Sequence, residues 1–211
     1  MKTLLILSLS SLLYTVQAQA SNPCENLKSC IKHVSSLTGD QYIYVNELDK
    51  EAAKLSENFK ITKENANDLL AELLNLNGYA KVKEPNGHWK IINARDIRYI
   101  AVPTLTYGKD TIPNNYDYYL TTIKLKNKYL SSNIARSFRP FMSRYGRIIE
   151  IKNSGLIIIS DTGINTNRLI ELAKKMDHKP TADEIKEFKE EEKNKRKIKI
   201  LKAKAPSCEK N

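Results

Sequence analysis

Residues 147–160, Arg147-Ile148-Ile149-Glu150-Ile151-Lys152-Asn153-Ser154-Gly155-Leu156-Ile157-Ile158-Ile159-Ser160, decide the fold. Two runs rich in β-branched residues flank Lys152-Asn153-Ser154-Gly155. A turn that needs positive φ is served by Asn and Gly, so the segment reads as a β-hairpin. Leu156-Ile157-Ile158-Ile159 is continuously apolar, which predicts a strand covered on both faces. Working outward, Tyr118 to Leu125 has strand chemistry. Ser131 opens a helix whose buried side holds Ile134, Phe138 and Phe141 or Met142. A last helix, with Ile164, Leu169, Leu172 and Met176 as core candidates, stops before Pro180. The order strand–helix–strand–strand–helix predicts a three-stranded sheet with both helices on one face.

Upstream lies a second compact unit. A first helix is expected over 23–38, with Asn22 as N-cap, Pro23 at its first position, Glu25 closing a capping box and Gly39 just past its end. Leu27, Cys30, Ile31, Val34 and Leu37 mark its apolar face. Tyr42-Ile43-Tyr44-Val45 reads as a strand, and a weaker strand is expected within 52–60. Thr62 caps a helix whose stripe is Leu69, Leu70, Leu73, Leu74 and Leu76, with Gly78 at its exit. Tyr79–Lys83 and His88–Ile92 flank Glu84-Pro85-Asn86-Gly87, a second hairpin. The chain is therefore expected to be α+β, as two small domains over 21–103 and 118–178. Residues 104–117, with prolines, a glycine and two asparagines but no periodicity, read as a linker. Residues 179–211 read as a charged, partly helical tail.

The first twenty of the 211 residues have the three-part layout of an export signal: Lys2, a short apolar run from Leu4 to Tyr14, and small-residue sites. Cleavage is expected between Ala20 and Ser21, giving an exported mature chain. Export permits disulfides, and Cys24, Cys30 and Cys208 are the three cysteines. On one helix Cys24 and Cys30 would lie about 9 Å apart along the axis and could not pair. A helix start at Asn26 would free Cys24 to curl back onto Cys30, and Cys208 could instead pair with Cys24 or another chain, so the pairing stays open.

The net charge of +11 points to an anionic partner without choosing one, because charge governs association rather than fold. Its one concentrated block is Lys195, Arg196, Lys197, Lys199, Lys202 and Lys204 in the tail, a candidate for peripheral membrane contact. No G-x-S-x-G, glycine-rich phosphate loop or H-E-x-x-H occurs, and Cys24, Cys30 and His33 do not have a standard zinc spacing. Asp161, where strand meets helix, reads as a helix cap. No enzyme, cofactor, metal or small-molecule substrate is expected.

Tyr119 to Asp177 resembles the repeated periplasmic (NolW-like) domain of bacterial secretins. Thr122-Ile123-Lys124-Leu125-Lys126-Asn127 is similar to that family's opening strand and Arg139-Pro140-Phe141 to the end of its first helix. Asn153 through Asp161 resembles its hairpin signature, with one residue shifted at Gly155, and Arg168-Leu169 with Met176-Asp177 resembles its closing helix. Leu73 to Gly87, His88 to Ala94 and Ile100-Ala101-Val102-Pro103 resemble the N-terminal secretin domain, a fold shared with the signalling domain of TonB-dependent receptors. Only 34 residues follow Asp177, which is short of the pore domain that secretins carry.

The resemblance implies a non-catalytic periplasmic module of a type II secretion or type IV pilus system. It implies binding to a secretin pore protein or an inner-membrane assembly component, and self-association. Strand addition at a free sheet edge is the implied mode, with Tyr42, Ile43, Tyr44 and Val45 and Tyr118, Tyr119, Ile123 and Leu125 as candidate strands. The alternative is a basic protein that binds lipid or nucleic acid, since the second unit also resembles a KH domain. It lacks that domain's Gly-x-x-Gly loop.

Overall fold

The computed structural model describes residues 23–44, 48, 55, 59–151 and 154–204. The expected signal cleavage at Ala20 and Ser21, the N-cap at Asn22, the strand residue Val45, most of the weak strand within 52–60 and Cys208 lie outside them.

The first helix, α1 (Leu27–Thr38), begins four residues later than predicted. Asn26 is the cap: its side chain accepts from the Ser29 N–H at 2.8 Å, while Ser29 Oγ accepts from the Asn26 N–H at 3.1 Å. The reason for the shift is Cys24, which turns back onto Cys30 in a disulfide with the Cα atoms 4.0 Å apart. Both cysteines are fully buried. They sit with Leu27, Ile31 and Val34 of α1, Leu69, Leu70, Leu73 and Leu74 of α2 (Ala66–Leu76) and Ile91. Leu76, read as part of the same stripe, points outward instead.

These helices cover one face of a sheet made by β1 (Tyr42–Ile43), β2 (Tyr79–Lys83) and β3 (Trp89–Asn93), in the order β1-β3-β2. β1 runs parallel to β3, and β2 and β3 form the predicted hairpin.

The second sheet contains four strands rather than three, ordered β4-β5-β7-β6. β5 (Tyr118–Lys124), β6 (Arg147–Ile151) and β7 (Leu156–Thr162) are the expected ones. The fourth, β4 (Thr104–Thr106), comes from the stretch read as a linker and lies parallel to β5, with Thr104 opposite Leu120. At three residues it is too short to show a period, and it acquires strand geometry from its neighbour. Helices α3 (Ser131–Phe138) and α4 (Gly163–Met176) cover one face. The core there is Ile123, Leu125, Ile134, Phe138, Ile157, Ile159, Leu169 and Ile170. Of the alternatives Phe141 and Met142, Met142 packs against this core and Phe141 is exposed, as are the core candidates Ile164 and Met176. Gly155 has φ +68, and a Cβ there would meet Lys128 Cα at 3.0 Å, so both the turn and the close approach call for glycine.

A final helix, α5 (Ala182–Lys204), accounts for most of the tail. Asp177, at the end of α4, accepts from the Lys126 and Asn127 N–H groups just after β5 at 2.8 and 3.0 Å, and the Asn127 side chain donates to Glu184 of α5 at 3.4 Å. The architecture is α+β throughout.

Candidate functional site

The faces of the two sheets have different fates. On the first, alternation puts Tyr79, Lys81 and Ile91 toward the helices and Ala80, Val82 and Ile92 on the reverse. The reverse face is not left to solvent. Ala80, Val82, Ala94 and Ile97 pack with Tyr118 and, at the margin, Tyr145, both from the second unit. The Asn75 side chain also donates to the Tyr116 carbonyl at 2.9 Å.

A buried ion pair that the sequence did not announce also bridges the two units, from the helix side of β2. Lys81 Nζ is 3.2 Å from Asp117 Oδ1 and 3.3 Å from Oδ2, and the ammonium stands 3.7 Å from the Trp89 ring centroid. Burial pushes the Lys81 ammonium below its usual range and the Asp117 carboxyl above its own, and the mutual attraction only partly opposes both shifts. Asn115 supports Asp117 through a 3.4 Å hydrogen bond and reaches the Tyr119 hydroxyl at 3.0 Å. A second polar chain runs from the Tyr42 hydroxyl to Asn67 Oδ1 and from Asn67 Nδ2 to Asp40 Oδ2, each at 2.8 Å. Burial raises the Tyr42 hydroxyl well above its ordinary range. Burial would also raise Asp40, but hydrogen bonds led by Asn67 hold its carboxyl below the usual value. Lysine at the centre of Tyr-Ala-Lys-Val-Lys was the only available clue, since alternation assigns Lys81 to the helix side of β2.

Asp161 is also completely buried. Its oxygens accept from the Ser143 N–H at 2.9 Å, Asn165 Nδ2 at 2.7 Å and the Thr162 N–H at 2.7 Å. Gly146 lies so close that a Cβ would stand 2.3 Å from Asp161 Oδ2. Thr162, not Asp161, caps α4. With both oxygens occupied, Asp161 clamps the loop before β6 to the start of α4 and is not a free base. A 280 Å³ cleft above it is lined by Tyr118, Met142, Tyr145 and Arg168. Among the described residues no group of three or more His, Cys, Asp or Glu could hold a metal ion.

The second sheet keeps one face open. Thr122, Ile158 and Ile149 form one cross-strand row on the side away from α3 and α4, and Lys124, Leu156 and Ile151 form the next. Ile158 and Leu156 are half-buried, while Ile149 is 53% exposed and Ile151 40%. The prediction that β7 is covered on both faces is therefore corrected, because the helices cover one face only. β6 is also a free edge.

Of the candidate interaction strands, Tyr42 and Ile43 lie in β1, an edge strand, with Tyr44 directly after it. Tyr118, Tyr119 and Ile123 lie in β5, which is paired on both sides by β4 and β7, with Leu125 just beyond. Strand addition there is excluded because no backbone edge remains. Lys195, Arg196 and Lys197 are exposed on α5, as expected, and Lys199, Lys202 and Lys204 continue the same helix.

No family model and no curated protein matches the chain. Among solved structures, the Klebsiella pneumoniae type II secretion system outer membrane complex (PulD, PulS and PulC HR domain) superposes with a TM-score of 0.61 at 16% identity. The alignment covers 74% of this chain and 26% of that one. The chain has the fold of secretin N-terminal domains. It spans about a quarter of the length of the Klebsiella chain. The N-terminal domain of the secretin XcpQ from Pseudomonas aeruginosa aligns at 15% identity over 74% of this chain and 63% of that one, with a TM-score of 0.28. The enterotoxigenic Escherichia coli GspC–GspD complex aligns at 16% over 72% and 93%, with a TM-score of 0.26. The fold likeness rests on the Klebsiella superposition, which takes in both units.

Proposed function

We propose that the chain is an exported, periplasmic and non-catalytic interaction module of a type II secretion or type IV pilus-like system. The observation that carries this reading is the secretin N-terminal fold across both units, superposing over 74% of the chain. The open face of the second sheet supports it. A band of isoleucines exposed beside a free β6 edge suits a protein surface that supplies apolar side chains and a strand. Its partner is a secretin pore protein, an inner-membrane assembly component or a further copy of the chain.

The test is affinity purification of the tagged mature protein from envelope extracts, repeated with Ile149→Asp. Recovery of a secretion or pilus component by the native protein and its loss with the variant are expected. If no such component is recovered, and deletion of the gene leaves both secretion and piliation intact, the reading is overturned.

A further inference from the structure

The helix α5 divides its charge along its length. Residues 182–192 contain six acidic and two basic side chains, whereas residues 193–204 contain seven basic and none acidic. The acidic end is fastened to the second unit. Thr181 and Glu184 cap each other, with Glu184 Oε2 accepting from the Thr181 N–H at 2.8 Å. Glu184 Oε1 meets His178 Nε2 at 2.8 Å, and the Phe188 ring packs 4.6 Å from that of Tyr129. Beyond Phe188 every described side chain is exposed except half-buried Glu192. At a rise of about 1.5 Å per residue, the basic end reaches about 24 Å past that anchor.

Two of the cations are engaged within the helix, Lys195 with Glu191 at 2.8 Å and Arg196 with Glu192 at 3.6 Å. Amid the cations sit three large apolar side chains exposed by more than half: Ile198, Ile200 and Leu201, at 53%, 55% and 67%. Ile198 and Leu201 lie one turn apart on one side of the helix and Ile200 away from them, so together they make a small apolar patch rather than a continuous seam for a partner helix. No helix among the described residues is long and apolar enough to cross a membrane. Dense positive charge with interspersed exposed isoleucine and leucine is the complement of an anionic phospholipid surface, where charge attracts and short apolar side chains enter the headgroup layer.

We propose that residues 193–204 of α5 dock on a membrane rich in anionic phospholipid, with the acidic end of the helix holding the folded units to one side. This docking is independent of the secretion reading, since it uses neither the open sheet face nor a protein partner.

Flotation of the full mature chain with phosphatidylcholine vesicles, with and without phosphatidylglycerol, tests it. Binding is expected only with phosphatidylglycerol, and it should weaken steeply as salt rises. Each cation near such a surface is worth about fivefold in partitioning, so the Lys193→Glu/Lys197→Glu/Lys199→Glu/Lys202→Glu variant should lose on the order of a hundredfold or more. Ile198→Ser/Leu201→Ser should lose on the order of tenfold at unchanged charge. Circular dichroism checks that the variants keep the helix, and the salt series on the native protein stands whatever the variants do. Absence of binding, equal binding to pure phosphatidylcholine, or full binding by the charge variant would overturn the proposal. Inorganic polyphosphate bound as tightly as vesicles, with no effect of Ile198→Ser/Leu201→Ser, would overturn it as well, by showing plain ion exchange.

Discussion

The two sheets share a construction and differ in what lies behind them. Each has helices on one face, but the reverse of the first sheet is sealed by Tyr118 and Tyr145 of the second unit, and the reverse of the second meets solvent through Ile149 and Ile151. The first unit has thus spent both faces on stability and on holding its neighbour. The second keeps a row of exposed isoleucines on its open sheet face for an external partner.

That contrast is broken most directly by placing the same charge on each reverse face. Val82→Asp buries an unpaired carboxylate in the junction and should cost more than about 4 kcal/mol in urea unfolding. Ile149→Asp should change stability by no more than about 0.5 kcal/mol while abolishing partner recovery. Equal destabilisation by the two would show that the second face is also covered.

Next in size is the ion pair between the units. Lys81→Met leaves Asp117 buried without its cation and should cost roughly 3–5 kcal/mol. Lys81→Met/Asp117→Leu should recover most of that loss, because the pair's attraction only partly offsets its desolvation. Measuring both single variants and the double by chemical unfolding isolates the coupling. The Cys24→Ser/Cys30→Ser variant removes a short covalent loop and should cost about 2 kcal/mol, with amide exchange accelerating in α1 and α2 before α4.

The smallest effect belongs to the root of α5. Its hydrogen bond to Glu184 raises His178 above its ordinary 6.5, so this contribution is full below that value and fades as pH rises through the raised one. Hydrogen bonding to the Thr181 backbone and then to His178 lowers Glu184, so its contribution is present above the ordinary 4.5 and fades as pH falls through the lowered value. Amide protection in the first turn of α5 should therefore be highest between about pH 4.5 and 6.5, and His178→Ala should remove its alkaline limb. An unchanged profile in His178→Ala would detach this pair from tail docking.

Much of the fold was legible because local chemistry and tertiary placement agreed. Asn-Gly and Ser-Gly turns between apolar runs gave both hairpins, and leucine spacing gave α2. Misreadings arose where a distant partner decided the outcome. Thr104–Thr106 is a strand only because β5 lies beside it, and α1 starts late only because Cys24 reaches Cys30. Continuous apolarity in β7 predicts two-sided burial, yet Ile158 faces the open side beside Ile149. The edge at β1 could be nominated from composition, but sheet order, which makes β5 interior and β6 free, depends on pairings that no single segment encodes. Lys81 and Asp117, 36 positions apart, carry no local signature of their pairing.

That separation has a consequence for dissecting the molecule. A fragment ending at Pro103 would retain the whole first sheet and both of its helices, yet lose Asp117, the carboxylate paired directly with the buried Lys81 ammonium. The natural cutting point suggested by the prolines is therefore a poor one, and the shortest self-sufficient piece of the first unit extends at least through Asp117. As that piece already carries β4 and leads directly into β5, whose partner β7 closes only after residue 156, the two units are inseparable as reagents and are best exchanged between proteins as one cassette.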